Sequence, residues 1–373
     1  METRELPKRN TSTILNLAGL IIVLSGVMYA SPIIKPLLLA VFVTIVFAQP
    51  LAWLVRKKVP QGLAILIVML GGVLVFFGIG QVISSSFSQF SNDASKYAAR
   101  LSEIASSLIQ WFSDLGMDLS SEKIKGMLGA EKILGVTTNM AGEIGSLMGN
   151  MAIVVFIVVF ILLELNSFAV KTIALVDTPA VSLQHLSRIG NSIRHYLAIK
   201  TYISLMTGFL IWIGLLVIGV DYAILWALIA FLLNFIPNIG SFIAMVPAFL
   251  FALVQLGLGA SVWTLVVFML VNTIAGSVVE PRVMGKGLGL STLVVFISLI
   301  FWGFLLGTVG MFLSVPLTMT AKIMLEQREN TKWIAILLGT QKEAEVIIER
   351  RKYTEADKFA AVEDELNEYG GRD

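Results

Sequence analysis

One hydrophobic stretch, Tyr222 to Leu256, is interrupted by Ile236-Pro237-Asn238-Ile239-Gly240-Ser241. A helix crossing the hydrocarbon core needs roughly 20 apolar residues. A run of about 35 is too long for one such span and too short for two with a loop between them. The break contains the residues that release backbone from a helix: Pro237 has no N–H to donate, and Gly240 tolerates unusual dihedrals. Inside a bilayer such backbone survives only where protein buries it or where it lines a wet cavity. Interrupted helices near the midplane point to a solute site between the halves of a transporter.

Composition supports a membrane setting. Hydrophobic residues make up 57% of the 373, charged residues 14%, and mean hydropathy is +0.86, whereas a soluble domain carries about 25% charge. The absence of cysteine excludes disulfides, thiolate nucleophiles and cysteine-based metal sites. His185 and His195 are ten residues apart, which is not a metal-ligand spacing, and read better as headgroup-level residues. No metal, cofactor or nucleic-acid signal is present. An intramembrane protease would need paired aspartates or a Ser/His pair within spans, and the chain offers neither, so it is not read as an enzyme.

Apolar runs predict an all-α, polytopic helical bundle with both termini cytoplasmic. Spans are expected over about 14–30, 33–54 and 62–83, giving an N-terminal unit 1–83. Arg56-Lys57-Lys58 marks the cytoplasmic side. A polar insert, 84–146, holds seven acidic and five basic residues and fits the outer face. In it Leu101, Ile104, Leu108, Trp111 and Leu115 fall at helical spacing, as a packing stripe or a partner-binding one. The transport core, 147–326, begins with a span over 147–165. A basic segment, 171–200, then reads as an interfacial helix, with Leu186, Ile189, Ile193 and Leu197 on one stripe beside Arg188, Arg194 and His195. A span over 201–220 leads into the broken stretch 222–256, and a span over 261–279 into a second one, 290–325, interrupted at Gly307-Thr308-Val309-Gly310. A charged cytoplasmic tail, 327–373, closes the chain.

The two broken stretches look alike. Gly240-Ser-Phe242 and Val246-Pro247 compare with Gly310-Met-Phe312 and Val315-Pro316, one residue shorter. Each follows a span, and those spans run in opposite directions. One reading is an inverted repeat with a site between the halves, and the other is two ordinary hairpins with glycine-rich turns. A helix starting in mid-membrane presents free N–H groups and a partial positive charge. Asn238 or Ser241 could cap the second arm of the first hairpin, and Thr308 that of the second. Asn234 and Asn272 are either solute-binding amides or helix–helix hydrogen-bonding groups. Among ionisable residues, Glu164 and Asp221 fit span ends. Glu280 could pair with Arg282 or serve as a gate or proton site.

Three segments carry a family resemblance: Asn234-Phe-Ile-Pro-Asn-Ile-Gly-Ser241, Glu280-Pro-Arg-Val-Met-Gly-Lys-Gly-Leu-Gly-Leu-Ser-Thr292 and Gly310-Met-Phe-Leu-Ser-Val-Pro-Leu317. His195-Tyr-Leu and Lys200-Thr201 fit as well. Over about residues 14–326 the chain resembles the AI-2E family of bacterial membrane proteins. The resemblance implies a multi-pass protein of the inner membrane that exports small polar molecules, autoinducer-2 (a quorum-sensing signal) in the namesake case, and that forms a homo-oligomer, with a pentamer as the implied count. Relatives described as sodium or lithium–proton antiporters leave H+ or Na+ as coupling ions to consider.

The leading expectation is therefore alternating access to a small polar solute. The hairpin tips, with Asn234, Pro237, Asn238, Gly240, Ser241, Asn272, Gly307, Thr308 and Gly310, would bind it, and Glu280, Arg282 and Glu164 would gate or couple ions. A cation–proton antiporter built on Glu280 or Glu164, and an oligomeric channel or scaffold, are the alternatives.

Overall fold

The structure, a computed structural model, describes residues 11–114, 142, 151–174, 179–237, 239–284 and 289–349. Its described elements are helices: α1 (Thr11–Tyr29), α2 (Ser31–Arg56), α3 (Gln61–Asp114), α4 (Met151–Ala174), α5 (Pro179–Ile218), α6 (Ala223–Leu233), α7 (Gly240–Leu256), α8 (Leu258–Thr273), a π-helical turn (Ile274–Val279), α9 (Glu280–Met284), α10 (Thr292–Glu326) and α11 (Lys332–Leu338). Five of these stretches are long and apolar enough to cross a membrane: Ser31–Arg56, Gln61–Phe90, Gly190–Ile218, Leu258–Val283 and Thr292–Glu326.

The chain turns apolar faces outward. On α3, Leu63, Leu66, Leu70, Leu74 and Phe77 are exposed at helical spacing, while Ala64, Val68 and Met69 pack inward against Ala40 of α2 and Val158 and Leu162 of α4. A continuous exposed apolar stripe is a liability in water. In a bilayer it is the lipid-facing surface, and the small inward residues let the helices approach closely.

Two helices are longer than expected. The third span does not end at Ile83. α3 runs on through Asp114, so the beginning of the polar insert is a continuation of a span. From the end of the membrane-length part onward, Phe90, Tyr97 and Leu101 are buried in one cluster with Trp226 and Phe251, which accounts for the first residue of the Leu101 stripe. Residues 115–141 and 143–146 of the insert, Leu115 among them, lie outside the described residues. Likewise α5 joins residues 179–200 of the expected interfacial segment and the following span into one helix of 40 residues, with no proline after Pro179 to interrupt it.

The first broken stretch turns back on itself. α6 is 11 residues long and α7 is 17, or about 16 and 25 Å of helix. At their open end, the Asp221 N–H donates to Gln255 Oε1 at 2.8 Å, and Gln255 Nε2 donates to the Gly219 carbonyl at 3.1 Å. Both arms therefore start and finish at the Asp221 end of α5.

The second broken stretch also folds back. Gly307, at φ +63° and ψ −147°, breaks α10 into two arms. Trp302 Nε1 donates to Thr318 Oγ1 at 3.0 Å, although sixteen residues of straight helix would part them by about 24 Å. The open end of this hairpin lies at the other end of α5. There Leu290, Val295, Val315 and Met319 form a core with Tyr196 and Leu197. The two hairpins thus enter from opposite ends.

The segment after α10 is more than a free tail. Lys322 is buried, donates to the Gly289 carbonyl, and reaches Glu343 Oε2 at 2.6 Å. The Ser291 N–H donates to the Leu338 carbonyl at 3.1 Å. α11 and the helical residues 341–349 are thereby held against the open end of the second hairpin.

Candidate functional site

At the first hairpin tip, Leu233 and Gly240 meet so closely that a Cβ on Gly240 would lie 1.7 Å from the Leu233 carbonyl oxygen. Glycine is required there by the approach of backbone to backbone. Asn234 is buried beneath the tip. Its Nδ2 donates to Ser204 Oγ of α5 at 3.0 Å, and its Oδ1 accepts from Ser241 Oγ at 3.1 Å. This side chain ties the tip to α5, which is the helix–helix alternative for Asn234. Ser241 does not cap α7: its hydroxyl is spent on Asn234, and α7 has no side-chain cap. Asn238 lies outside the described residues.

Beside this tip is a cavity of about 690 Å3. Asn234, Pro237 and Ser241 line it from the tip. Asn272, Thr273, Ser277 and Glu280 line it from α8, the π turn and α9, with Tyr196 and Lys200 from α5. Leu290, Thr292, Val295 and Val315, at the open end of the second hairpin, and Thr340, from the docked C-terminal segment, complete the wall. The floor thus mixes amides, hydroxyls and one charge pair with apolar surface, as small-molecule sites do.

The π turn sits in this wall, immediately before Glu280. Such turns are rare and occur mostly at functional sites. Here Gly276 and Ser277 occupy it, and both line the cavity.

Lys200 and Glu280 form the charged feature of the site. Lys200 Nζ lies 3.3 Å from both carboxylate oxygens, and the two side chains are 5% and 26% exposed. Removing a lone ammonium from water is expensive, and a carboxylate partner offsets that cost. Intramembrane charges are retained mainly where function uses them. The partner of Glu280 is therefore Lys200, eighty residues away, and not Arg282, which is exposed.

The second hairpin contributes differently from the sequence expectation. Gly307, Thr308 and Gly310 do not line this cavity. A Cβ on Gly307 would sit 3.8 Å from Lys35 Nζ, and one on Gly310 would sit 1.9 Å from the Trp302 carbonyl oxygen. The tips do meet: Phe235 and Phe312 stack at 4.7 Å between ring centroids, and Phe42 of α2 packs edge-on to both. The tips are thus in contact through these rings, and Asn234, Pro237 and Ser241 of the first tip face the cavity. Glu164 is exposed, pairs with Lys171 and is not among the lining residues. Among the described residues no group of three or more His, Cys, Asp or Glu could hold a metal ion.

Sequence reasoning overlooked Lys200 as a site residue. Its one signal is a charge inside the apolar run Leu197-Ala-Ile-Lys-Thr-Tyr-Ile203. The π turn left no signal beyond Gly276-Ser277 within a span.

The AI-2E family transporter model matches residues 17–330. The protein called "Putative transport protein YhhT" in Escherichia coli K12 is 36% identical over 339 residues, covering 91% of this chain and 97% of that protein. The AI-2 transport protein TqsA of the same organism is 35% identical over 326 residues, covering 87% and 95%. A transport protein of Haemophilus influenzae named in the same cautious terms is 39% identical over 334 residues, covering 88% and 96%.

Proposed function

The chain belongs to the AI-2E transporter family, and on that premise we propose that it exports a small polar molecule of the autoinducer-2 kind from the cytoplasm, by opening the cavity beside the first hairpin tip alternately to the two sides of the inner membrane. The observation that carries this reading is the cavity itself. It places Asn272, Thr273, Ser277 and the Lys200–Glu280 pair around about 690 Å3 in an otherwise apolar bundle. Neutral donors and acceptors, with a charge pair that sums to zero, suit an uncharged polar solute better than a bare ion. The cation–proton antiport alternative would need a carboxylate free to take the cation, and Glu280 is engaged by Lys200. The N- and C-termini lie in the cytoplasm in this reading.

The test is transport by purified protein in proteoliposomes, with autoinducer-2 inside and then outside, against Na+ and H+ gradients. Saturable movement of autoinducer-2, reduced several-fold in Asn272→Ala with insertion unchanged, supports the reading. Sodium flux with no movement of the solute would replace it with the antiporter.

A further inference from the structure

Lys200 is an ammonium with little recourse. Its own stretch of α5 and the facing π turn contribute an apolar cluster, Ile199, Ile203 and Ala275, flanked by Met206 and Val279, and the one charged group that meets the ammonium in the cavity wall is Glu280. Its carboxylate partner, Glu280, sits on another element that follows the π turn. Charged side chains are absent from the stretches packed around α5: residues 36–55 of α2, all of α6, all of α8, and residues 292–321 of α10 contain none. On α4, Glu164 is exposed and pairs with Lys171. On α10, Lys322 is taken up by Glu343 and Glu326. On α9, Arg282 is exposed, and on α5 itself Arg194 and His195 are exposed. The Tyr196 hydroxyl is the other titratable group facing the cavity. Any movement that opens the wall between α5 and α9 must therefore part the pair, with no second carboxylate among the described residues to receive Lys200.

Resting on the transport reading above, we propose that Lys200 is the proton carrier of the site, so that passage of the solute is tied to movement of one proton. An N–H bond of the ammonium breaks and an O–H bond forms on Glu280, leaving an amine and a carboxylic acid. Both are neutral, and they separate without stranding a charge in apolar surroundings. Glu280 is the more open of the two, at 26% exposure against 5%. It passes the proton to cavity water and returns as a carboxylate. Lys200 takes a proton from water when the cavity has opened to the other side, and the pair re-forms. One proton enters and one leaves per cycle.

Lys200→Arg separates this role from a structural one. Arginine keeps the charge and pairs with a carboxylate, but it does not give up its proton in proteins. The full chain is reconstituted with autoinducer-2 as the probe solute and a pH-sensitive dye in the lumen. Wild type should move protons with the solute. In Lys200→Arg the number of protons moved per solute should fall at least tenfold, whatever solute flux the variant keeps. The Lys200→Gln/Glu280→Gln double variant strands no charge and should insert, and whatever solute flux it keeps should be indifferent to an imposed pH gradient. Undiminished proton movement in Lys200→Arg, or wild-type solute flux without proton movement, overturns the proposal while leaving the transport reading intact. Wild-type protein that moves no solute overturns both.

Discussion

Gly240 and Gly310 hold equivalent places in two hairpins that enter the bundle from opposite ends. Each lies in the first turn of a second arm, pressed onto a carbonyl of the first arm: Leu233 for Gly240 and Trp302 for Gly310. A Cβ would also approach the side chain four residues earlier, Ile236 at 3.1 Å and Leu306 at 2.8 Å. Backbone cannot yield as a side-chain end can, so alanine at either position must spread the arms. Each substitution should cost about 1–3 kcal/mol or more, read as a lowered midpoint of heat unfolding in detergent. Gly276→Ala, where a Cβ meets nothing within 4 Å, should leave the midpoint nearly unchanged.

That correspondence explains why the two breaks are recognisable as a pair. A close backbone crossing admits only glycine, and a Phe follows two residues on in both, with the next Pro one residue nearer in the second, so the constraint is written in residue identity. Other features leave no such mark. The Lys200–Glu280 contact spans eighty residues, and no local pattern tells a buried lysine at a helix position from one that reaches the headgroups. The continuation of α3 past Ile83 was hidden because polarity rises where the helix leaves the apolar zone, not where it ends. Asn234 and Asn272 look alike in sequence, and only their neighbours distinguish a brace from a cavity wall.

Phe235 and Phe312 join the two tips by ring stacking at 4.7 Å. Such a pair contributes about 0.5–1.5 kcal/mol beyond the area it buries. A double-mutant cycle with Phe235→Leu and Phe312→Leu should return a coupling energy in that range. A coupling near zero would mean the tips touch without supporting each other.

Asn234 and Asn272 should separate in their effects. Asn234→Ala strands Ser204 and Ser241 beneath the first tip, which costs about 1–3 kcal/mol when buried polar groups lose partners. Asn272 lines the cavity and has no partner among the described residues, so Asn272→Ala should leave stability within about 0.5 kcal/mol. Its loss should instead reduce solute transport. Heat unfolding and flux, measured on the same preparations, decide between the two.

At the open end of the first hairpin, Tyr97 donates to Asp221 Oδ2 at 3.0 Å and Tyr222 donates to Asp93 Oδ2 at 2.8 Å. Burial, and then hydrogen bonds and nearby carboxylate charge, raise the Tyr97 hydroxyl well above its usual range. Burial above all, opposed by a hydrogen bond with Tyr97 and aided by the Asp93 bond and the charges of Asp93 and Asp221, pushes Tyr222 up to about 12. The native state thus keeps these protons where the unfolded chain would release them. Stability from this contact is whole below about pH 10, the ordinary tyrosine value, and falls as pH rises from there through about 12. Unfolding midpoints should drop over that window. The drop should be shallower in Tyr97→Phe, which has no proton to lose.

Lys322 anchors the C-terminal segment, and the surroundings of its head show how tightly. A Cβ on Gly289 would lie 2.9 Å from Glu343 Oε1, and one on Gly339 would lie 2.7 Å from Glu343 Oε2. The ammonium thus sits in a closed polar junction between α10, the chain before it and the helical residues after α11. Lys322→Met removes the donor shared by the Gly289 carbonyl and Glu343. Glu343 is half exposed and can turn to water, so the variant should fold while the segment docks less firmly. Losing a charge-assisted bond of about 1.5–3 kcal/mol raises the undocked population roughly 10- to 150-fold, and proteolysis follows that population when opening is fast relative to cleavage. Trypsin should therefore cut at Lys332 and Lys342 faster by that order in Lys322→Met, with the membrane core uncut. Because Thr340 stands in the cavity wall, the same variant should also show faster solute flux if the docked segment narrows that side of the cavity. Faster cutting with unchanged flux would confine the junction to a structural role.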